Sequence, residues 1–273
     1  MSGDELWGRR FLIPRSDKTL EECQDKAEWD RYTSRFAVAD GVSEALFSGS
    51  WADALVKEFV GGPEFPLASQ DDTAFAGFLT SCRQAWKGGY FDGRMRKWAA
   101  EPGGVPWNIA EKVEALGTSA TFVGMRVLPP GPDGSSASLC AVAVGDSCLL
   151  VVRNGRLSSS FPLTANEPFT LLPPQINGFE RFKSAPPLWL PRQDVLGGDI
   201  LILATDGVAP ALMAGDEARG GKTLGDTVLG WWKGGGEAYE ASVLAWRAQR
   251  LVSDDDAAAL VVRVPESWPA TTA

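Results

Sequence analysis

Three short, strongly apolar runs in this sequence each stop at an aspartate. Phe36-Ala37-Val38-Ala39 runs into Asp40-Gly41, Ile200-Leu201-Ile202-Leu203-Ala204-Thr205 into Asp206-Gly207, and Val142-Ala143-Val144 into Gly145-Asp146-Ser147. At the opposite polarity, Asp254-Asp255-Asp256 precedes the run Ala257–Val264, and Cys23-Gln24-Asp25 precedes a short candidate strand around Ala27–Trp29. Such brief apolar runs bounded by turn residues read as buried strands. Taken singly, Asp-Gly is a hairpin turn and a triple Asp is a solvated loop. Taken together they constrain the fold. In an antiparallel sheet the C-terminal end of one strand lies beside the N-terminal end of its neighbour, so Asp40, Asp206 and Asp255 can converge on one edge.

The rest of the chain supplies the layers around those strands. Trp51, Leu55 and Phe59 are four apart and give one apolar face to a helix that Ser50 can cap and that runs to about Val60. Asp71 to Trp86 reads as a second helix, with Phe75, Phe78, Leu79 and Cys82 on its apolar face and Gly88-Gly89 closing it. Pro106 to Leu116, closed by Gly117, makes a third. Further strands are expected at Thr121–Leu128, Ser138–Val144, Ser147–Arg153 and Asp199–Ala204. Two helical segments follow, Thr223–Lys233 and Glu237–Leu251, the latter with Tyr239, Val243, Trp246 and Arg250 on one stripe. Pro129–Ser136 and Pro173–Pro187 lie between strand-like segments and read as hairpin loops rather than domain boundaries. Helices packed on antiparallel sheets, an α+β class, fit this order better than alternating βαβ units. At 273 residues and 44% hydrophobic, the chain reads as one domain over residues 1–273. Most of its eleven tryptophans read as core, with one of Trp231-Trp232 expected at the surface.

Histidine is absent, which removes Ser-His-Asp and Cys-His hydrolases, His-ligated zinc or haem, and any His general acid. A formal charge of −9 provides no basic footprint for nucleic acid. No apolar run reaches the roughly 18 residues of a membrane span, and Met1–Glu5 lacks the start of a signal peptide. Cys23, Cys82, Cys140 and Cys148 show no paired spacing, so they read as free buried thiols of a cytoplasmic protein rather than redox sensors. Converging carboxylates repel: two unit charges about 4 Å apart cost about 1 kcal/mol in water and several-fold more at a protein-like dielectric. A fold that gathers them needs raised pKa values or a cation. Oxygen-only ligands select a hard ion, Mg²⁺ or Mn²⁺, and two such ions sharing a carboxylate can activate a water and clamp a phosphoryl oxygen. The Gly after each Asp leaves room for close approach.

In order, these segments resemble the PPM (type 2C) metal-dependent serine/threonine protein phosphatases. The resemblance rests on Glu22-Cys23-Gln24-Asp25, Phe36 to Ser43, Gly117-Thr118-Ser119-Ala120-Thr121, Ala143 to Ser147, Asp199 to Gly207, and Asp254-Asp255-Asp256 through Val262. The Cys-Gln-Asp form is similar to a bacterial branch of the family. The resemblance implies a four-layer α-β-β-α sandwich with two central antiparallel sheets and a metal site at one edge. It implies that Asp40 bridges two Mg²⁺ or Mn²⁺ ions, with the Gly41 carbonyl as a further ligand. Asp206 and Asp255 would complete the first ion's shell, Gln24 and Asp25 would hold the second ion or its waters, and Asp146 would match the ligand of a third. Asp40 and Asp206 would then be catalytic through metal-activated water. The implied substrate is a phosphoserine or phosphothreonine protein, and the implied partner a cognate Ser/Thr kinase or its targets.

The sequence also departs from the family pattern. The position of the phosphate-gripping Arg is Leu20, with Arg15, Lys18, Arg31 and Arg35 nearby; the usual Glu is Gln24, Val42 follows the central Asp-Gly, and the usual Asp-Asn reads Asp255-Asp256. Loss of the arginine keeps a second expectation open, a pseudophosphatase that binds or regulates without turnover. A carboxylate-metal nuclease is disfavoured by the charge. Arg219-Gly220-Gly221-Lys222-Thr223 looks like a phosphate loop, but Asp216 stands where its first Gly belongs.

Overall fold

The structure, a computed structural model, describes residues 7–63, 67–131, 136–170 and 172–268. Met1–Glu5 and the tip of the Pro129–Ser136 loop, 132–135, lie outside the described residues. In chain order the first half contains β1 (Trp7–Ile13), β2 (Lys26–Asp30), β3 (Arg35–Gly41), α1 (Ser48–Gly61), α2 (Asp72–Trp86), α3 (Asp92–Ala99), α4 (Trp107–Ala115), β4 (Ser119–Leu128) and β5 (Ser138–Val144). The second half contains β6 (Cys148–Arg153), β7 (Arg156–Phe161), β8 (Ile176–Asn177), β9 (Leu188–Asp194), β10 (Ile200–Ala204), α5 (Ala209–Met213), α6 (Leu224–Ala248) and β11 (Ala257–Arg263).

The strands form two sheets with every pair antiparallel. One has the order β1-β11-β10-β6-β7; the other has the order β2-β3-β4-β5-β9, with β8 added beside β4. Strand periodicity then divides the apolar residues among three cores. In β3, Phe36 and Val38 point between the sheets, where they meet Leu201, Leu203, Leu260 and Val262. Ala37 and Ala39 point outward to Trp51, Leu55 and Phe59 of α1 and Phe75 and Phe78 of α2. In β10, Ile200 and Ile202 point outward to Trp231, Tyr239, Val243 and Trp246 of α6. Each buried side chain of this size contributes about 1.5–3 kcal/mol. Strands buried on both faces need a helix layer on each outer side, so the alternation dictates the α-β-β-α order. No helix among the described residues is long and apolar enough to cross a membrane.

Several expectations change in detail. Asp40-Gly41 is not a turn but the end of β3, where Asp40 pairs with Thr121 and Gly41 with Ala120. Ser50 does not cap α1: the helix starts at Ser48 after Phe47 in the left-handed region (φ 63°), and the Ser50 hydroxyl donates to the Phe47 carbonyl at 2.7 Å. Asp71 does cap α2, accepting from the Thr73 N–H at 2.8 Å. Gly88-Gly89 does not close that helix, because a π-helical turn, Lys87–Phe91, carries it into α3. Phe91 stacks on Trp86 with ring centroids 5.1 Å apart and meets Phe179 at the same distance, so aromatic packing outweighs the glycines' preference to stop. The two C-terminal helical segments form one element broken at Gly235, whose φ of 73° permits the kink. Trp231 is buried and Trp232 half-buried. The phosphate-loop look-alike is a 3-10 turn in which the buried Arg219 donates to carbonyls at the end of α5. All four cysteines are free and buried, and burial pushes the Cys23 and Cys148 thiols up to about 12.

Both glycines after the key aspartates sit at close approaches. A Cβ on Gly41 would stand 2.7 Å from the Ser48 carbonyl carbon, and one on Gly207 would stand 2.0 Å from the Asp256 carbonyl oxygen. Gly207→Ala should therefore destabilise the protein by about 1–3 kcal/mol in chemical denaturation, as overpacking does. Gly77→Ala, exposed in α2 with nothing within 4 Å of the new Cβ, should instead stabilise by about 0.5–1 kcal/mol.

Candidate functional site

Strand register assembles the acidic residues at one rim of the sandwich. The β2–β3 pairing ends at Lys26 opposite Ala39, so Asp25 and Asp40 are the next pair along. The β6–β10 pairing ends at Cys148 opposite Ala204, which puts Asp146 and Asp206 together two positions further on. β11 starts at Ala257 on the other side of β10, bringing Asp255 to the same end. Between the sheets, the Thr205 hydroxyl donates to Asp25 Oδ2 at 2.7 Å and accepts from the Ala258 N–H at 2.9 Å. The Thr121 and Ser147 hydroxyls make a second cross-sheet contact at 2.6 Å. Asp25 is fully buried and Asp146 nearly so, while Asp40, Asp206 and Asp255 are half-buried.

The electrostatics follow from that burial. Desolvation, then the Asp25 and Asp206 charges, hold the Asp40 carboxyl well above the usual range. Asp40 lies within hydrogen-bond reach of Asp25, a contact two carboxylates make only by sharing a proton. Burial pushes Asp25 up to about 7, and burial with the Asp146, Asp25 and Asp255 charges pushes Asp206 up to about 8. Asp146, raised by burial to about 6, has both carboxylate oxygens buried without a hydrogen-bond partner, and so is Asp25 Oδ1.

Buried oxygen acceptors without donors are the donor chemistry a hard cation takes. Among the described residues, no group of three or more His, Cys, Asp or Glu already stands in a cage that could hold an ion. Asp25 is turned to the Thr205 hydroxyl and lies beside Asp40.

The remaining expected residues divide. Gln24 is already engaged by the protein: its Nε2 donates to Ser48 Oγ at 2.7 Å and its Oε1 accepts from Lys18 Nζ at 3.1 Å. Leu20 is 59% exposed. Arg35 caps the far end of α1, donating to the Phe59, Gly62 and Pro63 carbonyls, and Arg31 lies over the Tyr32 ring in the turn after β2; both are at the end of β3 remote from Asp40. Arg15 pairs with Asp17 at 2.6 Å, so only Arg15 and Lys18 of the four cations adjoin the acidic rim.

The sequence reading missed the framing residues. Asp256 accepts from the Arg15 N–H at 2.8 Å and the Gln24 N–H at 2.6 Å, stapling the first acidic motif to the last. Arg247 donates to the Asp255 and Pro14 carbonyls and fixes the same loop. The triple Asp was the only signal for these roles. Thr205 gave none, since threonine is ordinary in strands.

No family model matches the sequence, and no curated protein matches it. Solved structures do. MsPP, a PPM Ser-Thr phosphatase from Mycobacterium smegmatis in complex with cacodylate, is 18% identical with a TM-score of 0.53, covering 96% of this chain and 99% of that one. The Mycobacterium tuberculosis serine/threonine phosphatase PstP/Ppp is 16% identical with a TM-score of 0.57, covering 95% and 99%. The catalytic domain of PstP in complex with two manganese ions is 14% identical with a TM-score of 0.53, covering 95% and 98%. The chain has the PPM phosphatase fold. In this PPM fold the rim carboxylates come from both central sheets, as their registers show.

The raised carboxylates make a pH prediction for the metal-free protein. A group whose folded pKa is raised binds its proton more tightly when folded, so its stabilising effect is complete below the ordinary carboxylate range and is lost as pH rises through the folded value. The melting temperature should fall as pH climbs from the ordinary carboxylate range, about 4, to about 8, with the share of Asp146 lost by about 6, that of Asp25 by about 7 and that of Asp206 by about 8. Asp146→Asn should flatten the lower part of that slope. A flat profile measured by circular dichroism would show that these groups ionise freely.

Proposed function

We propose that this chain is a Mg²⁺- or Mn²⁺-dependent protein phosphatase acting on phosphoserine and phosphothreonine, as a single catalytic unit in the cytoplasm. The observation that supports this reading is the convergence of Asp25, Asp40, Asp206 and Asp255 from both sheets, with raised pKa values at Asp25, Asp40 and Asp206 and unpartnered buried oxygens on Asp25 and Asp146. Asp40, Asp206 and Asp255 would hold one ion. Asp25, Asp40 and the Gly41 carbonyl would hold a second beside Gln24, and Asp146 a third. When bound, divalent ions supply charge neutralisation for a phosphoryl group and lower the pKa of a water.

The chain's own residues supply the positioning. Asp40, at the end of β3, would serve both ion positions, and its placement is fixed by strand pairing rather than by a loop. Thr205 holds Asp25 through Oδ2 and leaves Oδ1 directed away from any donor. Arg247 and Asp256 fix the loop that carries Asp255. A cavity of about 510 Å³ opens beside Asp206 and is bordered by Phe169, Thr170, Arg247 and Arg250. It offers room for the chain on one side of a phosphorylated residue. The partners of such an enzyme are phosphoproteins, including a cognate Ser/Thr kinase or its targets.

One observation favours the second reading, a pseudophosphatase: the cations at the rim, Arg15 and Lys18, are already engaged by Asp17 and by Gln24 with Asp256. Turnover separates the two. We expect Mn²⁺-dependent hydrolysis of p-nitrophenyl phosphate and a phosphothreonine peptide, lost by about 100-fold or more in Asp40→Asn and Asp206→Asn. Mn²⁺ at about 100 times its Kd should stabilise the wild type by about 2.7 kcal/mol. Stabilisation without turnover would establish the regulatory reading; neither would remove the metal site.

A further inference from the structure

Lys18 forms a small network that the expected ion sites do not account for. Its ammonium donates to Gln24 Oε1 at 3.1 Å and lies 3.7 Å from Asp256 Oδ2, with the side chain only 17% exposed. Every other polar atom in the network is committed. Asp256 takes the Arg15 and Gln24 backbone N–H groups on its two oxygens, and the Gln24 amide nitrogen donates to Ser48 Oγ. Ser48 opens α1 where its backbone abuts Gly41, so the network reaches the residue that follows Asp40. A fixed positive charge therefore stands on the one acceptor that Gln24 could offer an ion. Asp25 Oδ1 and both Asp146 oxygens, by contrast, are buried and have no donor. The rim is thus uneven, with a protein cation on the Gln24 side-chain carbonyl and unanswered oxygens on the carboxylates of Asp25 and Asp146.

We propose that Lys18 is a built-in cation that guards the Gln24 side of the rim and sets the order of ion binding. A hard divalent ion binds first among Asp40, Asp206 and Asp255, and a second ion at the Gln24 side binds only by displacing the ammonium. The inference rests on the phosphatase reading for the identity of the ions, and it assigns unequal affinity to the two positions. The physical basis is charge. A unit positive charge a few ångströms from a divalent ion opposes its binding by more than the interval that separates tenfold steps in affinity, at the effective dielectric of a partly buried site.

Counting bound ions by the electron paramagnetic resonance signal of free Mn²⁺ tests this without relying on activity. In the wild type, two classes of site should separate by about tenfold or more in Kd. Lys18→Met should tighten the weaker class by about tenfold or more and leave the tighter class within about twofold. Lys18→Gln, which removes the charge but keeps a donor toward Gln24, should do the same and guards against a packing effect of the Met side chain. Metal-free melting of each variant confirms that it is folded. Superimposable binding curves for wild type and both folded variants would overturn the role of Lys18, even in an active enzyme. The variant effect on Mn²⁺ binding in a chain that hydrolyses no phosphopeptide would support Lys18 while removing the phosphatase reading.

Discussion

The mutual repulsion of carboxylates at one rim of the sandwich is the constraint around which the rest is arranged. Asp25 and Asp40 come from one sheet, and Asp146, Asp206 and Asp255 from the other, so the charges are held together by the packing that clamps the sheets face to face. That clamp is made of ordinary apolar contacts, Phe36 and Val38 against Leu201, Leu203 and Leu260. Raised pKa values at Asp40, Asp25 and Asp206 follow first from the burial that this packing imposes and then from the charges it keeps together. A site of this kind is unsatisfied by the protein alone, which is the ground on which a cation is proposed for it.

Placement of the site at strand ends also explains its economy. A strand terminus projects one side chain at a position fixed by register, and antiparallel pairing puts two such termini side by side. The Thr205–Asp25 hydrogen bond then ties the two rims across the inter-sheet gap. Glycines following Asp40 and Asp206 are required by neighbouring backbone, Ser48 in one case and Asp256 in the other, rather than by turn geometry. With no histidine in the chain, proton handling and ligation fall to the same few carboxylates, which makes their shared environment decisive.

Much of this was legible in the sequence because apolar runs ending in Asp survive translation into strands with little distortion. The runs at Phe36–Ala39 and Ile200–Ala204 became β3 and β10, while the four-layer order was an implication of the family resemblance and not of the runs themselves. β1 and β9 were not legible: Trp7–Ile13 carries two arginines, and Leu188–Asp194 is an edge strand interrupted by Pro191 and ending in Arg192-Gln193-Asp194, so neither sustains an apolar run. The π-helical passage from α2 to α3 was hidden because Gly88-Gly89 is a stop signal in isolation and only the packing of Phe91 on Trp86 and Phe179 overrides it. At the site, residue types gave the carboxylates but not their partners. Gln24 carries a ligand's chemistry yet is held by Lys18 and Ser48, and a contact across 24 residues of chain leaves no pattern in the sequence.

Anomalous diffraction at the manganese edge from crystals grown with Mn²⁺ addresses the central claim most directly, because it locates ions independently of activity or stability. The expected result is a peak within ligating distance of both Asp40 and Asp206, joining the two sheets at the rim. Peaks confined to other surface carboxylates, with Asp40 and Asp206 turned away from any shared density, would contradict it.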